Sequence, residues 1–172
     1  GTAEELDQLG PRLEASLDGE RPCAIFVFAS PKAPLDRVLG TLSARFESAR
    51  VIGSSTSGEF TQEGDGSGTV AVLALAGDYR IFTGLGRGLS TDPEKAVRDA
   101  LAGQPGSVHE YAYRTGVLLL DPMAGRSEEA ALVLASLLGD APLVGGAAGD
   151  DLAMAKTWVG AGTEVADDAR SS

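Results

Sequence analysis

Two glycine-rich segments hold most of the residues in this chain with chemical potential. VIGSSTSGEF gathers Gly53, Ser54, Ser55, Ser57, Gly58 and Glu59, and LVGGAAGDD gathers Gly145, Gly146, Gly149, Asp150 and Asp151. Glycine lets a backbone approach a ligand closely, and N–H groups freed in such turns suit a carboxylate or phosphate. A neighbouring carboxylate suits an ammonium group, so the two features together match a zwitterion such as a free amino acid. The same glycines can also serve only to make tight turns, and either loop taken alone is compatible with that role.

Catalytic templates fit poorly. GSSTS lacks the second glycine of the G-x-S-x-G nucleophile elbow, and any histidine mechanism must use His109, which sits in the polar stretch QPGSVHEY. Neither GGAAGD nor GLGRGL reproduces G-x-G-x-x-G, and no G-K-[ST] element occurs. A histidine and cysteine metal site needs more such ligands than His109 and Cys23 supply. No catalytic residue, metal site or cofactor is therefore assigned. Trp158, Tyr111 and Tyr113 are expected to pack against strands rather than to form a stacking platform.

The elements that must hold the two loops follow from hydrophobic patterning. CAIFVFA is a continuous apolar run, predicting a strand covered on both faces with Cys23 buried in it. Leu35, Val38, Leu39, Leu42 and Phe46 then recur at helical intervals, and a short strand at Val51 and Ile52 leads into the first loop. Past the turn QEGDGSG, the runs TVAVLALA and YRIFTGL are separated only by Gly77 and Asp78, which predicts an antiparallel hairpin. Asp92 and Pro93 open a helix reaching about Gly103. TGVLLLD is a strand, residues 127–138 a helix, and Leu143 with Val144 a short strand into the second loop; a last strand lies near Trp158. Ahead of all these, Leu6, Leu9, Leu13 and Leu17 have helical spacing, but Gly10 and Pro11 interrupt it, predicting a turn and then a short helix.

The same unit recurs. The offset that carries Gly53 onto Gly145 (145 − 53 = 92) also lays Ile25–Phe28 over Val117–Leu120, and Leu42 and Phe46 over Leu134 and Leu138. The expected fold is α/β: duplicated β-α-β units with an inserted β-hairpin, in a mixed sheet flanked by helices, with right-handed crossovers. Residues about 23–58 and about 115–150 would correspond. Ligands of such sheets gather beyond the carboxyl ends of parallel strands, where both loops fall.

Composition narrows the partners. The 172 residues suit a single domain, 1–172, and 25 acidic against 14 basic residues give a formal charge of −11 that repels nucleic acid and anionic membranes. One cysteine allows no intrachain disulfide, and no run approaches the length of a membrane span, so a cytoplasmic location is expected. The start at Gly1 and the polar end ADDARSS suggest a piece cut from a longer protein.

FVFAS, VIGSSTSGEF, VLLLDPMAG and LVGGAAGDD, in this order and at these separations, resemble the N-terminal part of the FIST domain family of bacterial signal-transduction proteins. The similarity runs from about Arg12 to Glu164. It implies a sensory input domain rather than an enzyme, binding a small polar ligand such as an amino acid and signalling to a kinase, cyclase or chemotaxis module. Two features depart from the family pattern: a further strand ahead of the first helix and a following FIST C-terminal domain are both missing. An enzyme acting on a small polar substrate is the alternative. Some FIST proteins are haem-containing nitric-oxide sensors with a histidine ligand; His109 matches no such motif, which leaves haem a minor alternative.

Overall fold

The computed structural model describes residues 3–62, 64–106 and 108–168, with side chains from residue 6 onward. The terminal residues on which the expectation of a cut fragment rests, 1–2 and 169–172, lie outside the described residues. No helix among the described residues is long and apolar enough to cross a membrane.

Helix α1 spans Ala3–Ser16 with Pro11 inside it, where the sequence predicts a turn and a shorter helix. A proline inside a helix costs about 3 kcal/mol through its missing N–H and its clash with the preceding turn. Leu6 is buried, and Leu9, Leu13 and Leu17 pack on the same core. At roughly 1.5–3 kcal/mol for each fully buried leucine, that stripe outweighs the proline.

Strand β1 (Pro22–Ala29), helix α2 (Leu35–Arg45) and strand β2 (Arg50–Ser55) form the first β-α-β unit, with Ile25 opposite Val51 and Val27 opposite Gly53 in a parallel ladder. Ile25, Val27, Val38, Leu39, Leu42 and Val51 are almost fully buried where α2 covers this pair. Phe26 and Phe28 project from the opposite face and are only half-buried, so that face of β1 is not sealed as the apolar run predicts. Cys23 is likewise half-buried, its thiol donating to the Leu75 carbonyl at 3.2 Å.

A small hairpin follows, β3 (Glu59–Thr61) with β4 (Gly64–Gly66). It is not the hairpin that the sequence predicts, which would join TVAVLALA to YRIFTGL. Strand β5 (Val70–Ala76) pairs antiparallel with β1 instead of with YRIFTGL, and residues 79–89 form no strand. These residues run against helix α3 (Pro93–Ala100), so closely at Gly84 and Gly86 that a Cβ would strike the carbonyls of Ala100 and Ala96. Helix contact takes the place of the predicted ladder. The α3 start is as predicted, with Asp92 accepting from the Lys95 N–H at 2.9 Å and Pro93 in the first turn. The tyrosines depart from expectation: neither lies in a strand, Tyr111 hydrogen-bonds Asp78, and Tyr113 is 94% exposed.

Strand β6 (Gly116–Leu120), a 3-10 turn (Pro122–Ala124), helix α4 (Ser127–Leu138) and strand β7 (Leu143–Ala147) make the second parallel unit. Its ladder slips relative to the first. Val27 pairs with Gly53, whereas it is Leu118, one position short of the residue that the 92-residue offset selects, that pairs with Gly145. Side chains alternate along a strand, so the slip turns Leu118 toward α3 and α4, while Val117 and Leu119 face the other way.

The chain then returns. Strand β8 (Val159–Ala161) lies antiparallel beside β2, and β9 (Glu164–Ala166) beside β8. The larger sheet is mixed, in the order β5-β1-β2-β8-β9, and β6-β7 form a separate pair. The layers are therefore α1 and α2, the larger sheet, β6-β7, and finally α3 and α4. Trp158, just ahead of β8, packs on the first core as expected.

Candidate functional site

The two glycine loops meet. Gly149 N–H donates to the Ser55 carbonyl at 2.8 Å, Asp151 N–H to the Thr56 carbonyl at 3.3 Å, and Asp150 N–H to the Ser57 hydroxyl at 3.2 Å. Gly149 lies flat against the Thr56–Ser57 peptide, where a Cβ would come within 2.7 Å of the Ser57 nitrogen. Ser55 fastens a third segment by donating its N–H to the Trp158 carbonyl and accepting the Trp158 N–H on its hydroxyl, both at 2.9 Å.

Each acid is occupied by protein donors. Glu59 is buried, with Oε2 accepting the Thr69 N–H at 3.0 Å and the Thr69 hydroxyl at 2.6 Å, and Oε1 accepting the Thr56 hydroxyl. Asp150, also buried, accepts backbone N–H groups of Ala155 at 2.6 Å, Lys156 at 3.0 Å and Met154 at 3.0 Å. The N–H groups of Ala155 foremost, then those of Lys156 and Met154, hold its carboxyl below the usual value of 3.8, with burial pulling the other way. Asp151 accepts from the Ser30 hydroxyl at 3.3 Å and lies 3.7 Å from the Lys32 ammonium. These carboxylates fasten the loops to each other and to their surroundings.

Sequence reasoning missed a further buried carboxylate. Asp121 accepts the Met123 N–H at 2.8 Å, the Asp168 N–H at 2.8 Å and the Thr157 hydroxyl, tying the carboxyl end of β6 to the returning chain. The Asp-Pro pair in VLLLDPMAG is the local signal for it, since aspartate before proline caps a helical turn.

Between the sheets lies a cleft of about 260 Å³. Phe26, Phe28 and Ser54 of the larger sheet, with Thr56 just past the end of β2, form one wall, and Val117, Leu119, Gly145, Gly146 and Ala147 of β6-β7 the other. Of the sequence-predicted residues, Ser54, Gly145 and Gly146 line this cleft. Gly53 points into the α2 core, 2.8 Å from Val27 if it carried a Cβ, while Ser55, Ser57, Gly58, Glu59, Gly149, Asp150 and Asp151 stand outside the lining. The apolar walls were not singled out in the sequence. They follow once β1 is known to expose alternate residues, because Phe26 and Phe28 share a face with Ser54 opposite the helices. A larger hollow of about 510 Å³ sits at the amino ends of β1 and β2, away from both loops, and its Arg45 is already paired with Glu14.

Across residues 23–171, from the first strand through both loops and the returning strands, the sequence matches the model of the FIST N domain. The chain belongs to the FIST N domain family. FIST domains are sensory modules of signal transduction and are not a known enzyme family. No curated protein and no solved structure matches this FIST N domain. Its exposed His109 lies in a turn well apart in sequence from both loops.

Proposed function

We propose that this FIST N domain is the ligand-binding input of a signalling protein and that its ligand occupies the cleft between the two sheets. The observation that carries the reading is the provenance of the walls: one comes from the first β-α-β unit and the other from the second. A molecule bound there touches both units, so its binding energy favours one relative placement of them. The loop junction at Ser55, Gly149 and Trp158 transmits that placement toward the returning strands, and from there to an output module or a FIST C-terminal domain. A cytoplasmic location is part of this reading. Small metabolites form the first set to screen, free amino acids and neutral molecules side by side, so that the class of ligand is read from the outcome. No residue is assigned to catalysis and no cofactor is required.

Thermal melting across a metabolite library tests the site. A ligand at one hundred times its Kd adds about 2.7 kcal/mol, which raises the melting temperature by roughly 5–10 °C in a domain of this size. Gly146→Leu fills the cleft and is expected to remove that rise while the unliganded protein melts as before. A stabilising metabolite whose effect survives Gly146→Leu would place the site elsewhere.

A further inference from the structure

We infer that the cleft selects an uncharged molecule with a compact apolar body of one or two rings and a single hydrogen-bonding group, and that the Ser54 hydroxyl anchors that group. This deepens the sensory reading and rests on it for the location of the site. Ser54 is only 3% exposed and lines the cleft, yet no described residue hydrogen-bonds its hydroxyl. The oxygen is not sealed off, since among the described residues only the Ser127 hydroxyl is a buried side-chain polar group without a partner; the Ser54 hydroxyl therefore opens on the cleft and is free to bond whatever occupies it. Its neighbour Ser55, pointing the other way, is fully engaged with Trp158.

Gly146 provides independent support. Glycine weakens a strand interior and needs a local reason to be there. At Gly145 the reason is plain, since φ is +153° and an added Cβ would come within 2.7 Å of the Leu118 carbonyl carbon. At Gly146 the fold supplies none: an added Cβ meets nothing within 4 Å. Gly146 is exposed and pairs with Leu119, which lines the same cleft, so a side chain there would project from the cleft-facing side of the sheet and narrow its opening.

Chemical class follows from the lining. None of the residues around the cleft carries an ionisable side chain, and Phe26, Phe28, Val117 and Leu119 supply an apolar wall. A charged group entering it would lose water without gaining a counter-charge. Val117, Gly145, Gly146 and Ala147 are exposed, so the zwitterionic end of a free amino acid gains nothing from the cleft beyond the solvent it already has, and the neutral apolar body carries the selection. An apolar cavity of about 150 Å³ admits benzene. The 260 Å³ here admits one or two rings with a polar substituent reaching Ser54.

Amide chemical-shift mapping on the whole chain tests the inference, with indole and 4-methylphenol as neutral probes and phenylalanine and benzoate as charged ones. The neutral probes are expected to shift the amides of Ser54, Thr56, Gly146 and Ala147, and the charged ones to leave them unmoved. Ser54→Ala should weaken 4-methylphenol about tenfold. Because that hydroxyl has no partner among the described residues, the unliganded spectrum of Ser54→Ala should stay close to that of the parent outside the cleft. Charged probes moving the same amides as strongly, or unchanged affinity in Ser54→Ala, would overturn the chemical class and leave the cleft as the site. If neither set moves those amides, the class and the sensory site fall together.

Discussion

Ser54 and Ser55 are adjacent, equally buried and opposite in role. The Ser55 hydroxyl accepts the half-buried Trp158 N–H, so Ser55→Ala removes that bond and should cost about 0.5–1.5 kcal/mol. Ser54→Ala removes a hydroxyl that no described residue hydrogen-bonds and should change stability by under about 0.5 kcal/mol. Denaturant titration of the two variants separates them, and equal losses would show that Ser54 is structural as well. Asp150 gives the domain an acid-sensitive fastening. Its carboxyl is held below the unfolded value of 3.8, so the folded state binds that proton less readily, and the stabilisation is complete above that value and lost as pH falls through the lower folded one. Melting temperature measured from pH 6 to pH 2 should therefore fall more steeply for the parent than for Asp150→Asn. Parallel curves would mean that Asp150 contributes nothing to acid sensitivity.

Among the elements, glycines divide by what they face. Gly53 of β2 lies against Val27, where a Cβ would sit 2.6 Å from its carbonyl oxygen and 2.8 Å from its Cβ, so Gly53→Ala should destabilise by about 1–3 kcal/mol. Gly146→Ala should be neutral or slightly stabilising. A large loss at Gly146 would show that the cleft is tighter than its geometry indicates. Much of this layer was legible in the sequence. The period of α2, the Asp92 cap and the span of α4 are local signals, and local signals are what a sequence carries openly. What hid was decided at a distance: α1 runs through Pro11 because its leucines find a core, and residues 79–89 forgo a ladder because α3 lies alongside. The one-residue slip between β1-β2 and β6-β7 was also invisible, since every apolar residue of VLLL suits either face.

On the scale of the molecule, the sequence disclosed an α/β fold with two β-α-β units, each running into a glycine loop, but neither the junction of those loops nor the facing of the sheets. Composition says that a strand is apolar, not which layer covers it, so the cleft emerges only from the assembled layers. The acids show the same limit: Glu59 and Asp150 stand out as potential ligand groups, and only their surroundings show them already engaged. One feature of the topology also bears on how the chain is made. Strand β8 completes the larger sheet by pairing with β2, Gly53 lying opposite Gly160, so a strand near the start of the chain waits for one near its end. A ribosome delivers β2 well before β8, and at about 5–20 residues per second the nascent sheet keeps an open edge for several seconds. That edge is a template for pairing with any other strand within reach. During synthesis the hazard for this domain is thus one of timing, and whatever slows elongation between the two strands prolongs it.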